Sequence, residues 1–169
     1  LKSIKRQTYN NYEIIVVDGN SNDGTKEEII KRKKIISKLI IKKDKGIYNA
    51  MNKGIKMASG KWTIFMNSGD IFYKKNILKK FLLEDIHDYD IVYGDTVVDA
   101  KNLKYIVKSN VFDNKTILMP FCHQSTFVDT NILKKKNFSM NYKISSDFDF
   151  FYNCLLIKKK FKKINFIIS

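Results

Sequence analysis

The chain has 169 residues, 44% of them hydrophobic, and its 32 Lys and Arg against 17 Asp and Glu give a net charge of +15. This length and composition predict a single domain over residues 1–169 with a core of its own. No apolar run reaches the roughly 18 residues of a transmembrane helix, and residues 1–8 lack the apolar centre of a signal peptide. The two cysteines, Cys122 and Cys154, have no metal-site spacing, which indicates a reducing compartment and excludes a zinc site.

The first half of the chain alternates strand and helix. Residues 14–17 are four β-branched residues in a row, which is typical of a strand covered on both faces. Asp18 directly follows this strand, and Glu27 and Glu28 stand where the start of a helix favours acids. The patterns predict strands over residues 12–17, 39–42 and 62–66, and helices over residues 25–36, 47–58 and 76–83. The second of these helices is expected to bury Ile47, Ala50, Met51, Ile55 and Ala58.

The second half of the chain is mixed. Strands are predicted over residues 90–94, 123–128 and 163–168, a hairpin over residues 97–107, a short helix over residues 131–136 and a longer helix over residues 146–157. The alternation in the first half implies parallel crossovers and an α/β fold. No internal repeat and no linker rich in Gly or Ser divides the chain.

The strongly basic balance has three interpretations. Lysines could attract an anionic ligand or membrane surface, form a nucleic-acid footprint, or reflect the codon bias of an AT-rich genome. We favour codon bias as the main cause, because the lysines are scattered and their clusters fall at predicted helix ends, where the dipole favours cations. Attraction to a membrane surface is a secondary expectation. Nucleic-acid binding ranks last, because the aromatic residues follow apolar helical patterns.

Acidic and amide side chains recur where the predicted strands end, at Asp18, at residues 67–70 and at Asp95. Ligands of open α/β sheets bind at that edge. Two carboxylates there would suit a hard divalent cation and a diphosphate. The competing interpretation is that these residues form ordinary turns and caps, since Asp, Asn and Gly dominate turns in any protein.

The chain resembles family 2 glycosyltransferases of the GT-A fold, in particular the branch that acts in bacterial surface-polysaccharide synthesis. The resemblance extends over nearly the whole chain and lies in residues 7–19, 44–55, 60–62, 65–70, 123–127 and 142–149. It implies a Rossmann-like α/β fold with a mixed, mostly parallel central sheet flanked by helices. It also implies a cytoplasmic enzyme, working at the inner face of the membrane on a nucleotide-diphosphate sugar donor and a glycan or polyprenyl-linked acceptor.

The resemblance also implies roles for residues at the donor side. Asp18 would accept hydrogen bonds from the base or ribose, and the amide of Asn49 would face the same nucleotide. Asn67 and Asp70 occupy the place of the family's acidic metal-binding motif. Asp70 is the acid that is kept, with Asn67 and Gly69 in the other positions, so Asp70 would be the protein ligand of Mn²⁺ or Mg²⁺, completed by diphosphate oxygens and waters.

On the acceptor side, Asp147 occupies the position of the family's general base. In an inverting transfer this carboxylate takes the proton of the acceptor hydroxyl. His123 and Gln124 resemble a segment that lines the acceptor side. Structural interpretations compete with both assignments, since Asp147 could be a dipole partner in the first turn of a helix and a lone histidine is often structural.

The family begins with one more strand than this chain contains, so we expect the chain to lack the usual first strand. Two further interpretations follow from that expectation. The chain could be a transferase cut short in the record, or it could be a non-catalytic, transferase-like domain without turnover. Nucleic-acid binding is the third and weakest hypothesis.

Overall fold

The computed structural model describes residues 1–100, 103–113, 115 and 118–169, and the strands and helices of this part alternate over most of its length. The strands are β1 (Ile15–Asp18), β2 (Lys38–Ile41), β3 (Trp62–Thr63), β4 (Ile91–Ala100), β5 (Leu103–Val107), β6 (Thr126–Asp129) and β7 (Phe161–Ile167). The α-helices are α1 (Lys2–Lys5), α2 (Thr25–Lys31), α3 (Ile47–Met57), α4 (Ile77–Leu83), α5 (Thr130–Lys135) and α6 (Ser146–Leu156). Short 3₁₀ helices cover Lys33–Ile35 and His123–Ser125. No helix in the described residues is both long and apolar enough to cross a bilayer.

The described strands form two sheets, a two-stranded sheet of β1 and β2 and a mixed five-stranded sheet in which the long strand β4 pairs with β5, β6 and β7. Strands β1 and β2 pair in parallel, and β7 pairs in parallel with the first half of β4. Strand β6 is antiparallel to β4 and to β3, and β5 forms an antiparallel hairpin with the second half of β4. The α/β class and the hairpin are therefore confirmed, and antiparallel pairing is more extensive than the predicted, mostly parallel sheet.

Several predicted elements are shorter or longer than expected. The first strand begins at Ile15, and of the apolar run only Ile14 is fully buried, so this strand is not covered on both faces. Strand β3 ends at Thr63 because its described pairing is limited to two residues of β6. Helix α2 ends at Lys31 and gives way to the 3₁₀ helix, and residues 123–125 form a 3₁₀ helix instead of the start of a strand.

The two faces of the central sheet carry two apolar clusters. Ile91 and Tyr93 face a cluster with residues of α3, α5 and α6, whereas Val92 faces a second cluster with residues of α4 and β7. This division follows from the alternation of side chains along a strand. Cys154, predicted to be buried on a helix, lies fully buried in the first cluster, and both cysteines are free thiols.

Helix α3 connects β1 to the first cluster. Its buried residues are Tyr48, Met51 and Ile55, whereas Ile47 is 45% exposed, which corrects the predicted helix face at that position. A Cβ on Gly54 would lie 3.6 Å from Val17 Cγ2, so the helix backbone packs closely on the strand. This packing places the start of α3 at the edge of the sheet where β1 and β2 end.

Glu13 connects the strand region to the turn after α3. Its Oε1 accepts hydrogen bonds from the backbone N–H of Ser59 at 2.6 Å and of Gly60 at 3.0 Å, and its Oε2 lies 2.7 Å from Lys38 Nζ. Burial alone would raise the pKa of Glu13, but the hydrogen bonds from Lys38, Ser59 and Gly60 outweigh it and lower the pKa to about 2.

We expect Glu13→Gln to lower the free energy of unfolding by about 1–3 kcal/mol near neutral pH, because the neutral amide replaces an ionised acceptor. The pKa is lowered in the folded state, so the stabilisation is complete above the unfolded value of 4.5 and disappears as the pH falls towards 2. Urea unfolding at a series of pH values measures the difference. The control Glu27→Gln, at an exposed residue of α2, should change stability by about 0.5 kcal/mol or less. A difference between Glu13→Gln and the parent chain that is independent of pH would contradict this account.

Candidate active site

The loops after β1 and β2 meet at one edge of the sheet. A Cβ on Gly19 would lie 2.6 Å from Asp44 Oδ2, so these two loops are in direct contact and a side chain at position 19 would displace Asp44. Asp44 in turn accepts a hydrogen bond from the backbone N–H of Gly46, immediately before α3. Asp18, the start of α3 and residue Asn49 therefore belong to the same edge, as the sequence predicts for a ligand site.

The carboxylate of Asp18 is buried and closes the turn that follows β1. Its Oδ1 accepts hydrogen bonds from the backbone N–H groups of Asn20 and Ser21, and its Oδ2 accepts one from Ser21 Oγ at 2.7 Å. Burial opposes ionisation, but these hydrogen bonds and the charge of Lys26 lower the pKa of Asp18. Asp18 therefore acts as a turn residue, which is the competing interpretation from the sequence. One lone pair of its Oδ2 takes no part in these hydrogen bonds.

Residues 67–70 form a tight turn after β3. Asp70 Oδ2 accepts a hydrogen bond from the backbone N–H of Asn67 at 2.7 Å, and Gly69 adopts a φ of +99°, which favours glycine. Gly69 and Asp70 border an open cavity of about 720 Å³ that also reaches the start of α2. Asp70 is therefore placed beside a space large enough for a ligand.

Asp147 is the centre of a hydrogen-bonded group that joins distant parts of the chain. The hydroxyl of Tyr48 on α3 donates to its Oδ1 at 2.9 Å, and the ring Nδ1 of His123 lies 2.7 Å from its Oδ2. The backbone N–H of Phe148 also donates to Oδ1 at 3.0 Å. On the other side of the ring, His123 Nε2 lies 3.1 Å from Asn67 Nδ2.

The two ring nitrogens of His123 have different partners. An amide nitrogen only donates hydrogen bonds, so Nε2 of His123 accepts from Asn67. An ionised carboxylate only accepts, so Nδ1 carries the hydrogen that faces Asp147. With the Asn67 amide in this orientation, the two contacts are assigned to the His123 tautomer with hydrogen on Nδ1.

Asp147 stays ionised in this environment. Its burial disfavours the charge, but the hydrogen bonds from His123 and Tyr48 outweigh that effect and lower the pKa of Asp147 below its usual value. The pKa of Tyr48 is raised, first by burial and then by the neighbouring carboxylate, so its hydroxyl keeps its proton. The carboxylate is 18% exposed, which leaves it accessible to a small group.

The structure brings together some of the predicted site residues directly. His123 and Asn67 join Asp147, and Asp70 joins the group through its hydrogen bond with Asn67. Gln124 is half-buried beside His123 in the same 3₁₀ helix. His123 is therefore a neighbour of Asp147, and its role in a site stays a prediction.

Asp18 and Asn49 lie apart from this hydrogen-bonded group. Asn49 Oδ1 accepts a hydrogen bond from the backbone N–H of Lys45 at 3.3 Å, which stabilises the first turn of α3. Both residues share the edge of the sheet with Tyr48, which lies next to Asn49 and reaches Asp147. Helix α3 therefore connects two sets of residues at this edge. Asp18 and Asn49 form the set predicted to face the nucleotide, and Asp147 and His123 form the other.

Asp95, the third acid predicted at a strand end, has a different position. It lies within β4 and not at its end, because β4 continues to Ala100. Its buried carboxylate accepts hydrogen bonds from Lys108 Nζ and from the backbone N–H and hydroxyl of Ser109. Burial alone would raise the pKa of Asp95, but these hydrogen bonds outweigh it and lower the pKa. Asp95 therefore anchors the segment after β5.

The predicted metal position has few side-chain ligands. Within the described residues, no group of three or more His, Cys, Asp and Glu side chains could hold a metal ion. Asp70 borders the cavity together with Asp23, Glu27 and Glu28 of the α2 region. As a single protein ligand, one carboxylate with substrate phosphates and waters is an arrangement that Mg²⁺ accepts. Asp70 would therefore suit a cation whose other ligands are diphosphate oxygens and waters.

Tyr48 is the site residue that the sequence patterns did not predict. It stands in the first turn of a helix among apolar residues, where a tyrosine is expected to belong to the core. Tyr48 and Asp147 are 99 residues apart in the sequence, so only the folded structure shows that the Tyr48 hydroxyl donates a hydrogen bond to Asp147. The sequence signal was its place at the start of the helix, at the ligand-binding edge of the sheet.

Comparison with known proteins identifies the family of this chain. The family model described as Glycosyl transferase family 2 matches residues 1–164. A PGL/p-HBAD biosynthesis glycosyltransferase of Mycobacterium bovis is 30% identical over 162 residues, which cover 91% of this chain and 62% of that protein. An uncharacterized glycosyltransferase of Methanocaldococcus jannaschii is 28% identical over 177 residues, which cover 95% of this chain and 60% of that protein.

Solved structures show the same fold. Staphylococcus aureus TarS in complex with UDP superposes with a TM-score of 0.75 at 20% sequence identity, over 99% of this chain and 55% of that chain. A complex of TarS with UDP-GlcNAc gives the same TM-score of 0.75. The chain thus spans about three fifths of its curated relatives and about half of the TarS chain. Since the family model covers nearly all of its residues, the chain belongs to glycosyl transferase family 2.

Proposed function

We propose that this chain is the catalytic domain of an inverting glycosyltransferase. It would move a sugar from a nucleotide-diphosphate sugar to a hydroxyl of a glycan or polyprenyl-linked acceptor in cell-surface polysaccharide synthesis. Family membership supports sugar transfer, and the TarS complexes with UDP and UDP-GlcNAc suggest a uridine nucleotide as the first donor to test. The observation that carries the proposal is the ionised, partly accessible Asp147 held beside His123 and Asn67.

The reaction needs a base on one side of the sugar and a departing diphosphate on the other. The acceptor oxygen forms a bond to the anomeric carbon while its proton passes to the Asp147 carboxylate. The bond between the anomeric carbon and the diphosphate oxygen breaks, and the nucleoside diphosphate leaves with the electron pair. Attack opposite to the leaving group inverts the anomeric configuration.

The donor would lie along the edge of the sheet. The free lone pair of Asp18 Oδ2 would accept a hydrogen bond from the ribose or base, and the amide of Asn49 would face the same nucleotide. Asp70 would hold Mn²⁺ or Mg²⁺ together with the diphosphate, and the cation would supply positive charge for the leaving group. His123 and Gln124 would border the acceptor side.

The net charge of +15 suits both an anionic donor and an anionic membrane surface. We propose a cytoplasmic location from the family resemblance, with peripheral association at the inner face of the membrane as a secondary effect of the charge, where a polyprenyl-linked acceptor would be presented. Nucleic acid is not an expected partner.

The alternative is a transferase-like domain without turnover. The observation that favours it is that the described residues contain no group of three or more His, Cys, Asp and Glu side chains that could hold a metal ion. Such a domain would bind a nucleotide or a partner protein but would release no sugar from any donor.

Calorimetric titration of the full-length protein with UDP and Mn²⁺ tests the proposal. We expect saturable binding of UDP that weakens when Mn²⁺ is omitted and weakens further in the Asp70→Asn variant, because the diphosphate then loses its bridging charge. The Asp129→Asn variant is the matched control, since Asp129 caps α5 on its own N-terminal turn. Absence of UDP binding, together with no sugar release from a panel of nucleotide sugars, would overturn the proposal.

A further inference from the structure

The carboxylate of Asp147 has a specific free position. This argument rests on the proposed function, in which Asp147 takes the acceptor proton. A carboxylate offers about four lone-pair positions. Oδ1 uses both of its positions, for the hydroxyl of Tyr48 and for the backbone N–H of Phe148. Oδ2 uses one position, for Nδ1 of His123. One lone pair of Oδ2 is left.

We propose that Tyr48 and His123 are positioning residues that hold the Asp147 carboxylate in one orientation, so that an acceptor hydroxyl meets the free lone pair of Oδ2. Asn67 completes the arrangement, because its amide occupies Nε2 of His123 and thereby keeps the hydrogen on Nδ1. The group links α3, the turn after β3, the 3₁₀ helix and the start of α6.

Tyr48 is held firmly enough to fix its neighbour. Its side chain is buried, and its ring packs at 5.7 Å between centroids on Phe138, which belongs to the first apolar cluster. The residue lies in the first turn of α3, and this helix is itself packed on β1. A rotation of the Asp147 carboxylate would therefore break the bonds from two rigid rings at once.

Asn67 gives this chain a particular charge balance. An aspartate at position 67 would place a second carboxylate opposite Nε2 of His123. That carboxylate would favour a doubly protonated imidazolium, because both ring nitrogens would then face an anion. The imidazolium would lower the basicity of Asp147. The neutral amide of Asn67 avoids this effect. Asn67 stands where the family's metal-binding motif has an acid, so the loss of that acid has a physical consequence for Asp147.

Steady-state kinetics of the full-length protein test the role of Tyr48. We expect Tyr48→Phe to lower kcat by about 10-fold to 100-fold, since a hydrogen bond to a charged group is lost. The donor KM should stay within about twofold, because the Tyr48 hydroxyl donates to Asp147 and is not among the groups proposed to hold the nucleotide. The titratable groups that face Asp147 are Tyr48 on α3 and His123 on the 3₁₀ helix. Loss of the tyrosine donor should raise the pKa of Asp147 and move the acidic limb of the pH–rate profile to higher pH.

The control Tyr12→Phe removes a hydroxyl that donates to the backbone carbonyl of Ile4, away from the site, and should leave kcat and the pH profile unchanged. At His123, asparagine keeps an amide donor near the place of Nδ1, so His123→Asn should retain more activity than His123→Ala. A Tyr48→Phe variant with a lower melting temperature but a parental kcat and pH profile would overturn the proposal.

Nitrogen-15 NMR tests the tautomer independently of activity. The His123 signals are assigned by their loss in His123→Asn, with exposed His87 as an internal reference. We expect the pattern of a neutral ring with hydrogen on Nδ1, and a doubly protonated ring in Asn67→Asp. A ring with hydrogen on Nε2 in the parent protein would overturn the proposal. If Asp147→Asn leaves transfer intact, the proposed function fails; if it abolishes transfer while Tyr48→Phe and His123→Ala have the parental kcat, only this inference fails.

Discussion

Replacement of Asp147 with asparagine should lower kcat by about 10²-fold to 10⁴-fold, the usual contribution of a positioned general base. The amide has the size of the carboxylate but cannot take a proton, so the acceptor hydroxyl must lose its proton to water. Donor affinity should change little, because Asp147 lies in the group with His123 and Tyr48 and not among the nucleotide-side residues Asp18 and Asn49. A transfer assay and a UDP titration on the same variant measure the two effects.

The pH dependence of the parent enzyme gives a second check on the same residue. Because the pKa of Asp147 lies below its usual value, the carboxylate is ionised throughout the neutral range. Activity should therefore be lost only as the pH falls below the range in which an ordinary aspartate titrates. Asp149→Asn, two residues further along α6, is the matched control and should keep the parental rate. If Asp147→Asn and Asp149→Asn have the same kcat, Asp147 is not the base.

Phe138→Ala should cause the largest loss of stability near the site, about 3–5 kcal/mol of the free energy of unfolding. Phe138 is 2% exposed and contacts three other rings, with centroid distances of 5.7 Å to Tyr48, 5.5 Å to Phe65 and 5.1 Å to Phe150. Removal of its ring leaves a cavity beneath Tyr48. Urea unfolding measures the stability change.

The same variant should also lower kcat among the molecules that remain folded, because Tyr48 loses the ring that supports it. Phe81→Ala is the matched control. Phe81 is equally buried at 2% exposed, and it stacks on Phe127 in the second cluster, on the opposite face of the sheet. We expect a similar loss of stability with a nearly parental kcat. Equal kcat values for the two folded variants would contradict the supporting role of Phe138.

The backbone of Phe138 explains why this loop can carry a site. Asn52 on α3 donates from Nδ2 to the carbonyl oxygen of Phe138 at 2.8 Å and accepts from its N–H at 2.9 Å. Ser146, the first residue of α6, donates to the carbonyl oxygen of Ser139 at 2.8 Å. The segment before α6 is irregular, but its main chain is held by both helices, so the start of α6 and Asp147 have a fixed position.

Elements with strong local patterns were predictable from the sequence. Helices α3 and α6 begin at the predicted residues and end within one residue of the predictions, because their apolar spacing and boundaries agree. The longer extent of β4 was not predictable from local patterns. The sequence predicts that the strand ends at Gly94, whereas in the fold the strand continues to Ala100 and Gly94 allows β7 to approach. A Cβ on Gly94 would lie 2.6 Å from the carbonyl oxygen of Phe166.

The sequence allowed several residues of the candidate site to be predicted, but not all of the contacts between them. Asp147, His123 and Asn67 were predicted as site residues, and their meeting in space agrees with that prediction. Their roles stay proposals. Tyr48 was not predicted, because its contact with Asp147 depends on how α3 packs against α6 and the intervening loop. Local sequence cannot show such a contact, since it joins segments that meet only in the folded chain.

The most direct test of the account is a crystal structure of the full-length protein with UDP and Mn²⁺. We expect the nucleoside beside Asp18 and Asn49 and the diphosphate and metal at Asp70. The space next to the diphosphate, where the donor sugar would lie, should open towards Oδ2 of Asp147. A nucleotide bound on another surface, with Asp18, Asp70 and Asp147 all distant from it, would contradict the account.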